Sequence, residues 1–369
     1  MKNKLKNVQG LRALAAILVV GMHMYAIETK YSGSETLLSS FMKVGASGVD
    51  LFFIISGFIM VTVTTSSAGD YSQRPLRFIY QRGSRIYPLY WFITLATCLA
   101  WLLIPGFVRL ENVSVAYVVN SFLLIPQQEL PLLVVGWSLI YELYFYLVFM
   151  LFLALPRKYL RQLITSWLLL VLLGNYTIRQ QPELFGPAIK LMCNPLCIEF
   201  IAGCYLALLL EQTQRWGKTT FCLGFFLLSA GWSYYYQIEY RGDIYGWERV
   251  GLFLPPYLLI LYGAVAMERE QNRETPAWCI AIGDASYSLY LTHILVLSTL
   301  GRVWEPYNRE GLFDNGIVLI AMFLVTVFAG LLCYRLIEKP MLDFTHRLGQ
   351  RLFAKTPSLT KQSTETAAE

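Results

Sequence analysis

Charge is what this sequence has least of. Of its 369 residues, 15% are Asp, Glu, Lys or Arg and 56% are hydrophobic, where a soluble globular domain carries about 25% charged residues. The shortage excludes an ordinary soluble domain because the apolar residues form long continuous blocks, among them 11–27, 49–63, 139–155 and 316–333. Blocks approaching about 20 residues suit helices that cross about 30 Å of hydrocarbon. Lipid cannot satisfy backbone N–H and C=O groups, so a spanning segment is a helix or a strand of a closed barrel. Continuous rather than alternating hydrophobicity selects helices.

Other absences narrow the class further. The seven cysteines are odd in number and scattered, and Cys193, Cys197 and Cys204 lack the accompanying His or acidic cluster of a metal site. They read as small buried thiols, with no metal expected. An internal repeat is missing, which disfavours inverted-repeat transporters. Nothing resembles a nucleic-acid module, so the net charge of +6 is read as membrane orientation. The start of the chain, with Lys2, Lys4 and Lys6 before an apolar run, looks like a secretory signal. The run is longer than a signal core of 7–15 residues and carries His23, so it reads as an uncleaved first transmembrane helix.

Ten spans are expected, at 11–27, 46–64, 87–104, 137–155, 162–176, 191–210, 219–236, 250–267, 286–301 and 316–337. With the N-terminus cytoplasmic, 21 of the 30 basic residues fall inside and 9 outside, as the positive-inside rule requires. The chain therefore reads as an all-α polytopic membrane protein of about ten transmembrane helices with both termini cytoplasmic. Residues 1–353 form one membrane domain, and 354–369 a disordered cytoplasmic tail rich in Ser, Thr, Lys and Glu. The loop at 105–136 is apolar enough to lie partly in the membrane interface, and Glu338 and Pro340 are expected to end the tenth helix, with a structural ion pair there.

Ionisable residues inside spans cost several kcal/mol unless paired or hydrated, so each is a functional candidate. Arg12 and His23 are eleven residues apart, about 20° beyond three full helical turns, and leave one face about 16 Å apart along the axis. Asp50, Glu142 and Glu199 are placed by the span count at a depth similar to His23. A buried imidazole near carboxylates is how a general base is oriented and tuned; a polar network holding helices together is the alternative. Arg82 and Arg85, spaced by three, point the same way on the third helix. With Arg12 they make a basic cup for phosphate groups, or else ordinary contacts to anionic lipid. His293 is divided between packing and function, and His346 is expected at the surface. Trp137 and Tyr141 near the outer boundary fit an interface belt or aromatic stacking on a sugar.

These residues lie in recognisable runs. Gly10-Leu11-Arg12-Ala13-Leu14-Ala15-Ala16, with ten residues between Arg12 and His23, resembles the first helix of the acyltransferase family 3 proteins. Gly48-Val49-Asp50-Leu51-Phe52-Phe53-Ile54-Ile55-Ser56-Gly57-Phe58 resembles their second helix, and Arg82-Gly83-Ser84-Arg85 with Pro88 and Tyr90 their third. Trp137-Ser138-Leu139 with Glu142 and Tyr146, Glu199-Phe200 with Gly203, Ser286-Tyr287-Ser288 with His293, and Tyr334 with Glu338 and Pro340 continue the series in order. Many relatives carry two consecutive acids where this chain has Tyr141-Glu142.

The resemblance implies a ten-helix O-acyltransferase of the bacterial inner membrane. It would draw an acyl group, usually acetyl, from cytoplasmic coenzyme A, with no tightly bound cofactor. The acceptor would be a hydroxyl of an exopolysaccharide, a lipopolysaccharide or another lipid-linked glycan. Carried onto this chain, His23, Asp50 and Glu142 are the catalytic candidates, with Arg12, Arg82 and Arg85 for acyl-CoA. Trp137, Ser138, Glu199 and His293 are the candidates for the acceptor. The rival readings are a proton-coupled transporter or flippase of a glycan precursor, and an accessory subunit of polysaccharide export.

Overall fold

A computed structural model describes residues 5–33, 36–64, 74–103, 114–212, 215–239, 246–271, 273–307 and 312–353; the tail expected at 354–369 lies outside them. The described residues are helical and contain no strand. In chain order the helices are α1 (Lys6–Tyr31), α2 (Gly48–Thr64), α3 (Arg74–Leu103), α4 (Val115–Leu123), α5 (Gly136–Leu153), α6 (Leu160–Gln180), α7 (Pro187–Met192) and α8 (Cys197–Leu210). They continue with α9 (Gly217–Glu239), α10 (Trp247–Gln271), α11 (Ala277–Asp284), α12 (Ser286–Trp304), α13 (Leu312–Cys333) and α14 (Lys339–Leu352).

Among these residues six segments are long and apolar enough to cross a bilayer: Lys6–Tyr31, Ser40–Thr64, Gly136–Leu153, Pro187–Leu210, Trp247–Glu270 and Asn315–Leu352. The pair α11 and α12, bent by 71°, makes a seventh if taken as one span. The windows at 87–104, 162–176 and 219–236 lie on α3, α6 and α9, which are helical but less apolar. The chain is a multi-pass membrane protein.

Two close helix pairs set the register of the bundle. On α2 and α8, a Cβ added to Gly57 would sit 2.0 Å from the Phe200 carbonyl oxygen, and one added to Gly203 would sit 2.1 Å from that of Ile54. Only glycine permits such backbone approach, the device by which membrane helices pack without a hydrophobic driving force. On α1 and α12, Arg12 bonds Ser286 and His23 bonds His293, so the two helices run parallel. Arg12 and His23 thus face one neighbour, as their spacing requires.

Three expectations are corrected. A 3-10 stretch, Ser40–Ser47, runs directly into α2, so that span starts earlier than 46 and Asp50 lies ten residues inside it. Gly48 packs on the Ala15 carbonyl, eight residues or about 12 Å from His23, so Asp50 does not share the depth of His23. Next, the end of the described loop before α5 is tied to the middle of α3. Tyr87, Tyr90 and Trp91, midway along α3, donate to the Leu123, Ser121 and Phe122 carbonyls at 3.0, 2.6 and 2.9 Å, satisfying the last carbonyls of α4. Consequently α5 starts against Tyr90, and Trp137 and Tyr141 pack on Phe53 inside the bundle, not in a surface belt. Finally, Glu338 and Pro340 do not end a helix. A π-helical turn at Tyr334–Glu338 carries α13 into α14, with Pro340 in the first turn of α14, where a missing N–H costs nothing.

Candidate active site

Three arginines meet where α1 begins. Arg12, Arg82 and Arg85 line a mouth of about 350 Å³ together with Asp284, Glu338 and His346. The same arginines line a narrower inner chamber of about 70 Å³ that continues into the bundle past Glu142, Ser138, Phe52 and Tyr290. Arg12 donates to the Ser286 hydroxyl through Nε (3.2 Å) and Nη2 (2.9 Å). Arg82 is 8% exposed, lies over the rings of Phe78 and Tyr146, and its buried Nε has no hydrogen-bond partner. An orphaned guanidinium donor at the wall of a chamber is a preformed place for an anionic oxygen.

Glu142 belongs to this cup, not to the neighbourhood of His23. It accepts from Ser56 Oγ at 3.2 Å and from the Tyr146 hydroxyl. Glu338, buried in the π turn, accepts from Ser288 Oγ and, among the described residues, does not form the ion pair expected of it. Asp50 is also taken up elsewhere: Arg249 grips both of its oxygens, Nη2 at 2.6 Å and Nε at 2.9 and 3.1 Å, and Arg249 Nη2 donates in addition to the Ala46 carbonyl. Glu199 adjoins this pair, fully buried, with its carboxyl group facing that of Asp50. Of the three carboxylates expected at one depth, two form an interior charge network and one belongs to the cup.

The partner of His23 is His293. His293 Nε2 lies 3.3 Å from His23 Nδ1, with ring centroids 4.8 Å apart and planes at 70°. Each Nδ1 also faces a carbonyl one turn back, Val19 for His23 (2.9 Å) and Leu289 for His293 (3.2 Å). A carbonyl only accepts, so with both rings neutral the hydrogens sit on the two Nδ1 atoms. The one hydrogen on His23 Nδ1 is then shared between the Val19 carbonyl and the bare Nε2 of His293, and the Nε2 of His23 keeps its lone pair. That tautomer, fixed by a neighbouring acceptor, is the one a general base requires. His293 thus stands where the sequence reading placed Asp50 or Glu142. His293 is fully buried while His23 retains exposed surface.

The chamber approaches this pair closely. Tyr290, which lines it, has its ring 5.8 Å from that of His293 and 6.0 Å from that of Phe52, and its hydroxyl bonds Ser138 Oγ at 2.7 Å. Sequence reasoning gave no site role to Arg249, nor to Ser286, Ser56 and Tyr146, which stand in the family-like runs. Arg249 had a signal, since a buried carboxylate in a span demands a cation, but its position next to a span edge placed it among loop charges. Among the described residues no group of His, Cys, Asp and Glu is arranged to hold a metal ion.

Comparison with known proteins agrees with this geometry. The acyltransferase family 3 model, described as an acyltransferase domain, matches residues 5–335. The exopolysaccharide production protein ExoZ of Rhizobium meliloti is 28% identical over 309 residues, covering 81% of this chain and 90% of that protein. The acyltransferase MdmB of Streptomyces mycarofaciens is 27% identical over 381 residues, covering 93% of each chain. No solved structure matches the chain. A family match over most of the sequence, on a helical bundle with a basic cup beside a histidine pair, has one consequence: the chain belongs to acyltransferase family 3 and is a membrane O-acyltransferase.

Proposed function

We propose that this protein transfers an acyl group, acetyl foremost, from cytoplasmic acyl-CoA to a hydroxyl of an exopolysaccharide, lipopolysaccharide or other lipid-linked glycan at the bacterial inner membrane. In this reading ten spans cross the bilayer, both termini are cytoplasmic, and the arginine mouth opens to the cytoplasm. The observation that carries it is the unpartnered Nε of Arg82 in a cup of three arginines, at the foot of a chamber that ends one ring away from the histidine pair.

Acyl-CoA supplies the acyl group as a thioester, and its phosphates fit Arg12, Arg82 and Arg85, because guanidinium forks bind phosphate bidentately. Arg12 is held for this by Ser286. His23 Nε2 takes the proton of the acceptor hydroxyl as that oxygen attacks the thioester carbonyl, and returns it to the coenzyme A thiolate when the C–S bond breaks; His293 keeps the ring in the productive tautomer and bears part of the charge that develops on it. Asp50 and Arg249 hold α2 against α10 and leave the chemistry to the histidines. The similarity to an exopolysaccharide production protein supports a glycan acceptor.

The test uses membranes containing the full chain, labelled acetyl-CoA and surface polysaccharide freed of its acyl groups by mild base. Label is expected on the polysaccharide. Arg85→Ala should raise the half-saturating acetyl-CoA concentration about 10- to 100-fold, the worth of a charge-assisted contact of 1.5–3 kcal/mol. Transfer with unchanged acetyl-CoA dependence in that variant would remove the cup from the mechanism.

A further inference from the structure

A second cavity, of about 480 Å³, lies on the other side of the start of α5. Its volume falls within the range of small-molecule sites, about 300–1,000 Å³. Gln128, Glu129, Trp137, Tyr141, Lys190 and Asn194 line it, a mixture of hydrogen-bonding groups and aromatic rings. Its wall is fixed. Leu132 N donates to Ser121 Oγ at 3.1 Å, the Tyr117 hydroxyl donates to the Leu130 carbonyl at 3.0 Å, and the end of α4 is tied to α3 by the three aromatic donors described above.

Asn194 has one side of its amide committed: Oδ1 accepts from Leu196 N at 3.0 Å, which leaves its two N–H donors for a ligand. Trp137 meets Phe53 and Tyr141 edge to face, with planes at 81° and 87°, so neither of these rings is stacked parallel on the indole.

A floor of single aromatic side chains separates this cavity from the chamber of the arginine cup. Trp137 and Tyr141 line the one and Phe53 lines the other, with Phe53 centroids 6.4 and 5.9 Å from theirs. Ser138, next to Trp137, faces the chamber and bonds Tyr290.

We infer that this cavity is the acceptor subsite: it takes a hydroxylated sugar ring, whose apolar face stacks on Trp137 while Glu129, Gln128 and Asn194 bond its hydroxyls. The chemistry is that of carbohydrate recognition, with an aromatic platform for the C–H face and carboxylate and amide groups for vicinal hydroxyls. The assignment rests on the acyltransferase reading and adds where the acceptor sits. Donor and acceptor then reach the reaction from opposite sides of the Phe53 layer.

Three variants of the full chain test it, with the base-treated polysaccharide as probe. Trp137→Leu removes the platform. Asn194→Asp keeps the oxygen that caps Leu196 and replaces the two donors. Glu129→Gln removes the charge at nearly constant shape. In the transfer assay the half-saturating polysaccharide concentration should rise about tenfold for Trp137→Leu and about threefold for the other two, with acetyl-CoA dependence unchanged. Wild-type transfer with all three variants within twofold of wild type would overturn the subsite. Binding of fluorescent polysaccharide fragments to the purified protein in nanodiscs gives a second readout. Weakened binding by Trp137→Leu supports the subsite even where wild-type protein transfers no acetyl group, a result that would sink the acyltransferase chemistry proposed above instead. Equal binding by all variants overturns the subsite.

Discussion

Arg249 and Arg82 are both guanidiniums inside the helical bundle, and they are held in opposite ways. Nε and Nη2 of Arg249 are directed at protein acceptors: two oxygens of Asp50 and the Ala46 carbonyl. Arg82 lies against two aromatic rings, and its Nε meets no acceptor. Burial is similar, 9% and 8% exposed, so burial alone does not separate them. Satisfaction does. A buried ion pair with its geometry completed holds helices in place, and removing one partner leaves an uncompensated charge. A buried donor kept open carries a standing desolvation cost that a bound anion would relieve. The same contrast holds for the acids, with Asp50 fully engaged and Glu142 met by hydroxyls within the cup.

Substitutions can sharpen or break this contrast. The largest effect is expected at His23, where the proposed mechanism places the general base: His23→Ala should lower transfer about 10²- to 10⁴-fold with unchanged amounts of protein in the membrane, read by labelled-acetyl incorporation and immunoblot. Arg249→Met should act on the fold, lowering stability by about 3–5 kcal/mol in a detergent melting experiment. Adding Asp50→Leu should recover most of that loss, because the pair is then removed together; no recovery would mean that Asp50 has work beyond its partner. Arg82→Gln should do the reverse of Arg249→Met, moving the melting temperature little while raising the half-saturating acetyl-CoA concentration about 10- to 100-fold. If Arg82→Gln melts like Arg249→Met, the two arginines are alike and the contrast fails. Smallest of all, Arg157→Ala breaks an ion pair to Glu211 whose side chains are 50% and 43% exposed, and should change stability by less than about 1 kcal/mol.

Much of the frame was legible because hydrocarbon imposes it. Continuous apolar runs in lipid favour helices, and the described part of most of the ten windows falls on helix, with 191–210 broken between Met192 and Cys197. The helical period alone put Arg12 and His23 on one face, and both meet α12. Depth was the weak inference. It assumed that spans start where hydrophobicity starts, whereas Ser40–Ser47 lengthens one span and the α4 turn lowers the start of α5. Those two departures moved Asp50 and Glu142 away from His23. The pairing of His293 with His23 joins residues 270 positions apart, and no local pattern encodes it. Arg249 escaped because an arginine at a span edge looks the same in sequence whether it faces solvent or a carboxylate.

Under the proposed function, donor and acceptor meet inside the bundle from opposite faces of the membrane. The direct measurement is transfer in sealed vesicles of known orientation, with labelled acetyl-CoA supplied to one face at a time and polysaccharide present on the other. Label should reach the polysaccharide only when acetyl-CoA is on the face bearing Arg12, Arg82 and Arg85. Equal labelling from either face, or labelling only from the opposite one, would contradict the account.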